Sequence, residues 1–152
     1  MPPVLEGLDP AIVGSQGGLI RALHWVQEKE GCIPADYQAA LADLFNLTRA
    51  EVKGVVSFYD DFRAEKAGTH VIRLCQAEAC QAVGARVLTN YARQKTGMDL
   101  GDTGAEKALT LEGVHCLGLC ASGPAALVDG KPMGRLDEAA LGALIDQLAA
   151  SS

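Results

Sequence analysis

Thr69-His70-Val71-Ile72-Arg73-Leu74 runs without a break into Cys75-Gln76-Ala77-Glu78-Ala79-Cys80. The first six residues are β-branched and alternating, and Gly68 precedes them, which predicts a short strand. The pair Cys75-x4-Cys80 therefore hangs from a strand end. A second pair, Cys116-Leu117-Gly118-Leu119-Cys120, follows another strand-like run, Leu109-Thr110-Leu111-Glu112-Gly113-Val114. Two cysteine pairs on two loops, gathered by a fold, supply four thiolates to one centre. Thiolates favour zinc, copper(I) or an iron–sulfur cluster over hard cations.

Working outward, residues from Cys80 to about Lys95 predict a helix carrying Val83, Val87, Leu88 and Tyr91, stopped by Lys95-Thr96-Gly97. Gly101-Asp102-Thr103-Gly104 reads as a loop. Ala126-Leu127-Val128, the turn Asp129-Gly130 and Lys131-Pro132-Met133-Gly134 form a hairpin. Asp137 caps a last helix with Leu141, Leu144, Ile145 and Leu148. The order β, α, β, β, α with cysteines at two strand ends predicts an open α/β sheet, thioredoxin-like in outline.

The residues before Gly68 carry a helical pattern instead. Asp9-Pro10 offers a cap with proline at the first helical position, and Leu19, Leu23 and Val26 recur at helical spacing until Gly31. Tyr37, Ala40, Leu41, Leu44 and Phe45 mark a second helix. Thr48-Arg49-Ala50-Glu51 is a capping-box sequence, continued by Val52, Val55, Val56 and Tyr59. The chain thus divides into a helical bundle over 1–67 and an α/β domain over 68–152.

Composition narrows the function. The 152 residues are roughly half apolar, enough for a sizeable core, and 13 basic against 19 acidic side chains leave a charge of -6. That balance argues against nucleic acid and against a basic membrane-surface patch. No basic-then-apolar leader and no bilayer-length apolar stretch is seen, so the cytoplasm is expected. Cysteines there are kept reduced and read as ligands or reactive thiols. Cys32, alone in Glu30-Gly31-Cys32-Ile33-Pro34, reads as a small buried hydrophobe.

For the quartet Cys75, Cys80, Cys116 and Cys120 the expectation is one [2Fe-2S] cluster, which needs two thiolates per iron, taken one pair to each iron or shared across both. Structural zinc is the competing centre, but zinc ribbons show C-x2-C knuckles that neither pair has. A C-x-x-C redox dithiol is absent, and the plant-type ferredoxin spacing does not fit. Gly118 and Gly123 permit backbone conformations or close approach that a side chain would obstruct, and Ala77, Ala79 and Ala121 leave room. His115, next to Cys116, is expected to point away from it. His24 and Trp25 read as packing or partner-surface residues, His70 as a strand-edge residue, and Phe58-Tyr59-Asp60-Asp61-Phe62-Arg63 as core closure with a solvated tip.

These residues carry a resemblance over nearly the whole chain. The two cysteine pairs about thirty-five residues apart, with Leu23-His24-Trp25-Val26-Gln27-Glu28, Gly31-Cys32-Ile33-Pro34 and the run from Leu47 to Tyr59, are similar to the thioredoxin-like [2Fe-2S] family. That family includes the 24-kDa-type subunit of respiratory NADH:quinone oxidoreductase and its relatives in NAD-linked hydrogenases and formate dehydrogenases. The resemblance implies that Cys75, Cys80, Cys116 and Cys120 are the four ligands. It also implies an electron-transfer subunit without a substrate-converting site of its own, docked in a hetero-oligomer on a subunit that binds FMN and NAD.

Phe58 to Arg63 and the first cysteine loop, Gln-Ala-Glu-Ala between Cys75 and Cys80, look most like the gamma subunit of the soluble molybdenum NAD-dependent formate dehydrogenase. In that case a molybdopterin subunit oxidises formate, and further iron–sulfur clusters and FMN lie on the partners. The equivalent subunit of quinone oxidoreductase or hydrogenase is the nearest alternative. A zinc-bound adaptor and a free ferredoxin shuttle are readings of other classes.

Overall fold

A computed structural model describes residues 3–151, and the chain separates into two compact units between Lys66 and Ala67.

In the first unit, 3-10 turns at Pro3–Leu5 and Pro10–Ile12 precede three helices: α1 (Gly18–Glu30), α2 (Ala35–Phe45) and α3 (Arg49–Phe58). Asp9 does cap the Pro10 turn, its carboxylate accepting from Ala11 N at 2.9 Å, but no helix continues from there. Gly14 and Gly17 take positive φ, 90° and 70°, and break the run; α1 starts at Gly18, where a Cβ would collide with Ile12 O. The capping box forms at α3: Thr48 Oγ1 accepts from Glu51 N at 3.2 Å and Glu51 Oε2 accepts from Thr48 N at 2.7 Å. Leu5, Leu23, Val26, Ile33, Leu41 and Val52 make a fully buried apolar core. Tyr59 lies one residue past α3 rather than on its apolar stripe. Phe62 closes the core against the His24 ring at 4.9 Å, while Phe58 is 78% exposed.

The second unit holds β1 (His70–Cys75), α4 (Glu78–Ala82), α5 (Ala85–Thr96), β2 (Leu109–Val114), β3 (Ala126–Val128), β4 (Lys131–Met133) and α6 (Glu138–Ala150). The four strands form one mixed sheet in the order β2-β1-β3-β4. β1 and β2 are parallel with Cys75 opposite Val114, and β3 runs antiparallel to both β1 and β4. Ile72, Leu74, Leu111, Ala126, Leu141 and Ile145 bury the sheet under its helices. The turn between β3 and β4 uses left-handed Asp129 and Gly130, φ 47° and 80°, the geometry that a two-residue hairpin requires. Asp137 Oδ1 accepts from Ala140 N at 2.7 Å and caps α6.

Residues 80–95 are not a single helix, because Gly84 takes φ 104° and separates α4 from α5. The break resets the helical phase. Val83 and Val87, expected on an apolar face, are 54% and 57% exposed, and α5 buries Ala85, Leu88, Thr89 and Ala92 instead.

Candidate functional site

Parallel pairing is what gathers the cysteines. Because β1 and β2 run the same way, the loops after Cys75 and Val114 leave the same edge of the sheet. β3 enters from that edge, and Cys75 N donates to Ala125 O at 3.0 Å while Gln76 N donates to Val114 O at 2.7 Å. Three segments therefore meet where the sulfurs lie.

Cys75 ends β1 and Cys80 sits inside α4; both are buried, in an apolar cluster with Ala85 and Ala125, against which Ala77, Val114, Leu117 and Leu119 pack. Cys116 and Cys120 are exposed, their Sγ atoms 4.0 Å apart. Gly118, at φ 73°, makes the turn between them, and its N–H donates to Cys116 Sγ at 3.3 Å. Gly123 serves by close approach instead: a Cβ there would stand 2.9 Å from Val83 Cγ2 and 3.3 Å from Cys80 Sγ.

The thiols influence one another. Burial pushes the Cys80 thiol up, helped by its hydrogen bond to Cys75 and by the charges of Cys75 and Cys120, against the Ala125 N–H, which pulls it down. Cys120 is raised first by its hydrogen bond to Cys116, then by the Cys116 charge. Cys80 and Cys120, each raised by neighbouring cysteines, with backbone N–H groups of Ala125 and Gly118 aimed at sulfur, fit a cationic metal centre that relieves the repulsion. Among the described residues, no three His, Cys, Asp or Glu side chains converge as one ion would require. The sulfurs stand as one buried pair and one exposed pair, and a two-iron centre asks only that two thiolates reach each iron.

The remaining candidates fall elsewhere. Cys32 is buried in the first unit, its thiol raised chiefly by that burial. His115 is exposed between Val114 and Cys116. His70 is the first residue of β1, an inner strand of the sheet, and its Nδ1 lies 2.7 Å from Asp129 Oδ2. Trp25 is partly buried, with the Lys29 ammonium 4.9 Å from its ring centroid. Sequence reasoning missed Ala125, whose contribution is a backbone group and leaves no compositional trace. It also missed the side-chain chain Gln76, Gln81 and Thr89; the one available signal was a glutamine directly after each cysteine of the first pair.

Residues 10–149 match the thioredoxin-like [2Fe-2S] ferredoxin family. The chain is 31% identical over 115 residues to a subunit of the NADH-quinone oxidoreductase of Pseudomonas aeruginosa, covering 76% of this chain and 69% of that protein. It is also 31% identical over 121 residues to the NADP-reducing hydrogenase subunit HndA of Solidesulfovibrio fructosivorans, covering 80% and 71%. An air-oxidised NAD+-reducing [NiFe]-hydrogenase superimposes with a TM-score of 0.71 at 30% identity. That match takes in 88% of this chain but 23% of the hydrogenase chain. Among the described residues no helix is long and apolar enough to cross a membrane.

Proposed function

The chain belongs to the thioredoxin-like [2Fe-2S] ferredoxin family, and from that premise we propose that it is the electron-transfer subunit of an NAD(P)-linked oxidoreductase complex, holding one [2Fe-2S] cluster on Cys75, Cys80, Cys116 and Cys120. The observation that carries the proposal is the parallel β1–β2 pair, which sends both cysteine loops off one sheet edge, where Cys75 N donates to Ala125 O and Gln76 N to Val114 O. When bound, such a cluster takes up and releases single electrons.

The chain's own residues prepare that edge in three ways. The four thiolates supply the ligands, two from each loop. The N–H groups of Gly118 and Ala125 donate to sulfur and favour additional negative charge there. Burial of Cys75 and Cys80 keeps water from half of the site. Glu78, at the start of α4, adds a negative charge to the first loop and favours a low potential.

The helical part, 1–67, is assigned to docking on a subunit that binds FMN and NAD, in a cytoplasmic hetero-oligomer, with residues 68–152 as the cluster domain. The names of the relatives support a quinone-oxidoreductase or hydrogenase assembly. The Gln-Ala-Glu-Ala first loop supports a narrower reading, the gamma subunit of a formate dehydrogenase whose partner carries molybdopterin and further clusters.

Anaerobic purification of the native complex, with iron, sulfide, flavin and molybdenum measured in one fraction, tests both levels. Two irons and two sulfides per chain, with flavin comigrating, are expected. A colourless, iron-free chain would overturn the family-level function. Formate-dependent NAD+ reduction with molybdenum present selects the formate complex, and hydrogen-dependent or quinone-linked turnover without molybdenum removes it.

A further inference from the structure

Two glutamines beside the first cysteine pair belong to a hydrogen-bond chain whose direction can be worked out. Thr89 Oγ1 donates to Ala85 O at 2.9 Å, so its single hydrogen is committed. It must then accept from Gln76 Nε2, 3.0 Å away. The same nitrogen lies 3.2 Å from Leu74 O, which can only accept. Both contacts orient the Gln76 amide with its nitrogen toward the strand end and α5, leaving its oxygen to face Gln81 Nε2 at 3.3 Å. Gln81 donates there. Its own Oε1 is consequently buried with no hydrogen-bond partner among the described residues.

This chain links β1, the first cysteine loop and α5. Gln76 follows Cys75 and Gln81 follows Cys80, so the loop that separates the two sulfurs is tied at both ends. An acceptor buried without a donor costs stability, and its partial negative charge goes unscreened where water is excluded.

We propose that Gln76, Gln81 and Thr89 form a one-way strap that positions the Cys75–Cys80 loop, and that the carbonyl at its free end lowers the reduction potential of the cluster. The proposal rests on the [2Fe-2S] reading of the site. All three are positioning residues; none is itself a ligand. The strap acts on geometry by fixing where the buried sulfurs stand, and on energy because an unscreened negative dipole opposes an added electron.

The test uses the full chain, reconstituted anaerobically. Thr89→Val keeps the side-chain shape and removes the hydroxyl. Loss of the cluster to a chelator is expected to quicken about fivefold, the scale of one neutral hydrogen bond, with altered EPR g values, and Thr89→Ser is expected to restore both. Gln81→Leu removes the free carbonyl and is expected to raise the midpoint potential. Wild-type release rate and g values in Thr89→Val overturn the positioning role, and an unchanged potential in Gln81→Leu overturns the tuning role. Should Gln81→Leu not hold a cluster, Gln81→Met measured in the same way decides the tuning. Hydrogen exchange of the Gln76–Cys80 amides in the iron-free chain, faster in Thr89→Val than in wild type, reads the strap without the metal. A wild-type chain that never takes up iron thus sinks the family-level function, while the exchange rates still decide the strap.

Discussion

At the start of β1 the polar side chains pair off, and just past its end one of them does not. Asp129 Oδ1 accepts from Val71 N at 2.8 Å and Oδ2 meets His70 Nδ1 at 2.7 Å, while Thr110 Oγ1 accepts from Gly68 N at 2.7 Å and lies 2.8 Å from Thr103 Oγ1. Beyond the far end of the strand, the Cys80 and Cys120 thiols are raised by neighbouring cysteines, and the Gln81 carbonyl is buried without a donor among the described residues. Strand and register are common to both ends, so neither explains the contrast. Local rules are broken where the sequence places the cysteines.

The contrast predicts that substitutions at the two ends fail in different ways. The largest effect belongs to the cysteines. Cys80→Ser and Cys116→Ser each remove one of four proposed ligands and are expected to abolish the visible absorbance and EPR signal of the reconstituted chain. They should part company in the iron-free protein. A buried hydroxyl in place of the Cys80 thiol costs about 1–3 kcal/mol, whereas the exposed Cys116 position is expected to stay within about 0.5 kcal/mol of wild type. Urea unfolding measures both. Equal losses in the two variants would mean that the pairs are not divided by burial as described.

Glycines sharpen the same end. Gly123→Ala drives a Cβ to 2.9 Å from Val83 Cγ2 and 3.3 Å from Cys80 Sγ, and overpacking of this kind costs about 1–3 kcal/mol. Because one displaced neighbour is a proposed ligand, cluster yield is expected to fall with stability. At Gly118 a Cβ meets nothing within 4 Å, so Gly118→Ala carries only the left-handed backbone cost, about 1–2 kcal/mol. Iron content and melting temperature of both variants check the ranking, and a Gly118 variant that loses more than the Gly123 variant would contradict it.

How much of this could be read beforehand depends on the kind of signal. The Thr48 capping box, the Asp129-Gly130 turn and the Leu109–Val114 strand are local, and each forms where its residues indicate. The helix breaks at Gly14–Gly17 and Gly84 were hidden, because an apolar period does not register the sign of φ; hence the misplacement of Val83 and Val87. At the candidate site the pair spacings were plain in the chain. That the loops leave one edge depends on β1 pairing with β2 in parallel, a long-range choice that spacing does not encode. The strap lay further out of reach, since its logic is the direction of hydrogen bonds among residues up to thirteen positions apart.

The smallest effect belongs to the opposite end and probes whether satisfaction there is structural alone. Burial pushes the Asp129 carboxyl up, but the Val71 N–H and His70, by hydrogen bond and charge, with Lys131 adding its charge, outweigh it and hold the carboxyl below its usual range. A carboxyl depressed on folding adds stability above its unfolded pKa. That contribution fades as the pH falls through the lower folded value, in the acid range below 3.8. The Asp129 side chain is 38% exposed, so solvent screening limits the contribution to a few tenths of a kcal/mol. Asp129→Asn keeps a residue that tolerates left-handed φ and removes only the charge. It is expected to lower stability slightly at pH 7, to converge on wild type as the pH falls through the depressed folded value, and to leave cluster content and potential unchanged. Urea titrations across that range, with EPR on the same samples, check all three. A shift in potential would show that the two ends of β1 are electrically coupled, and the contrast between them would no longer be one of separate roles.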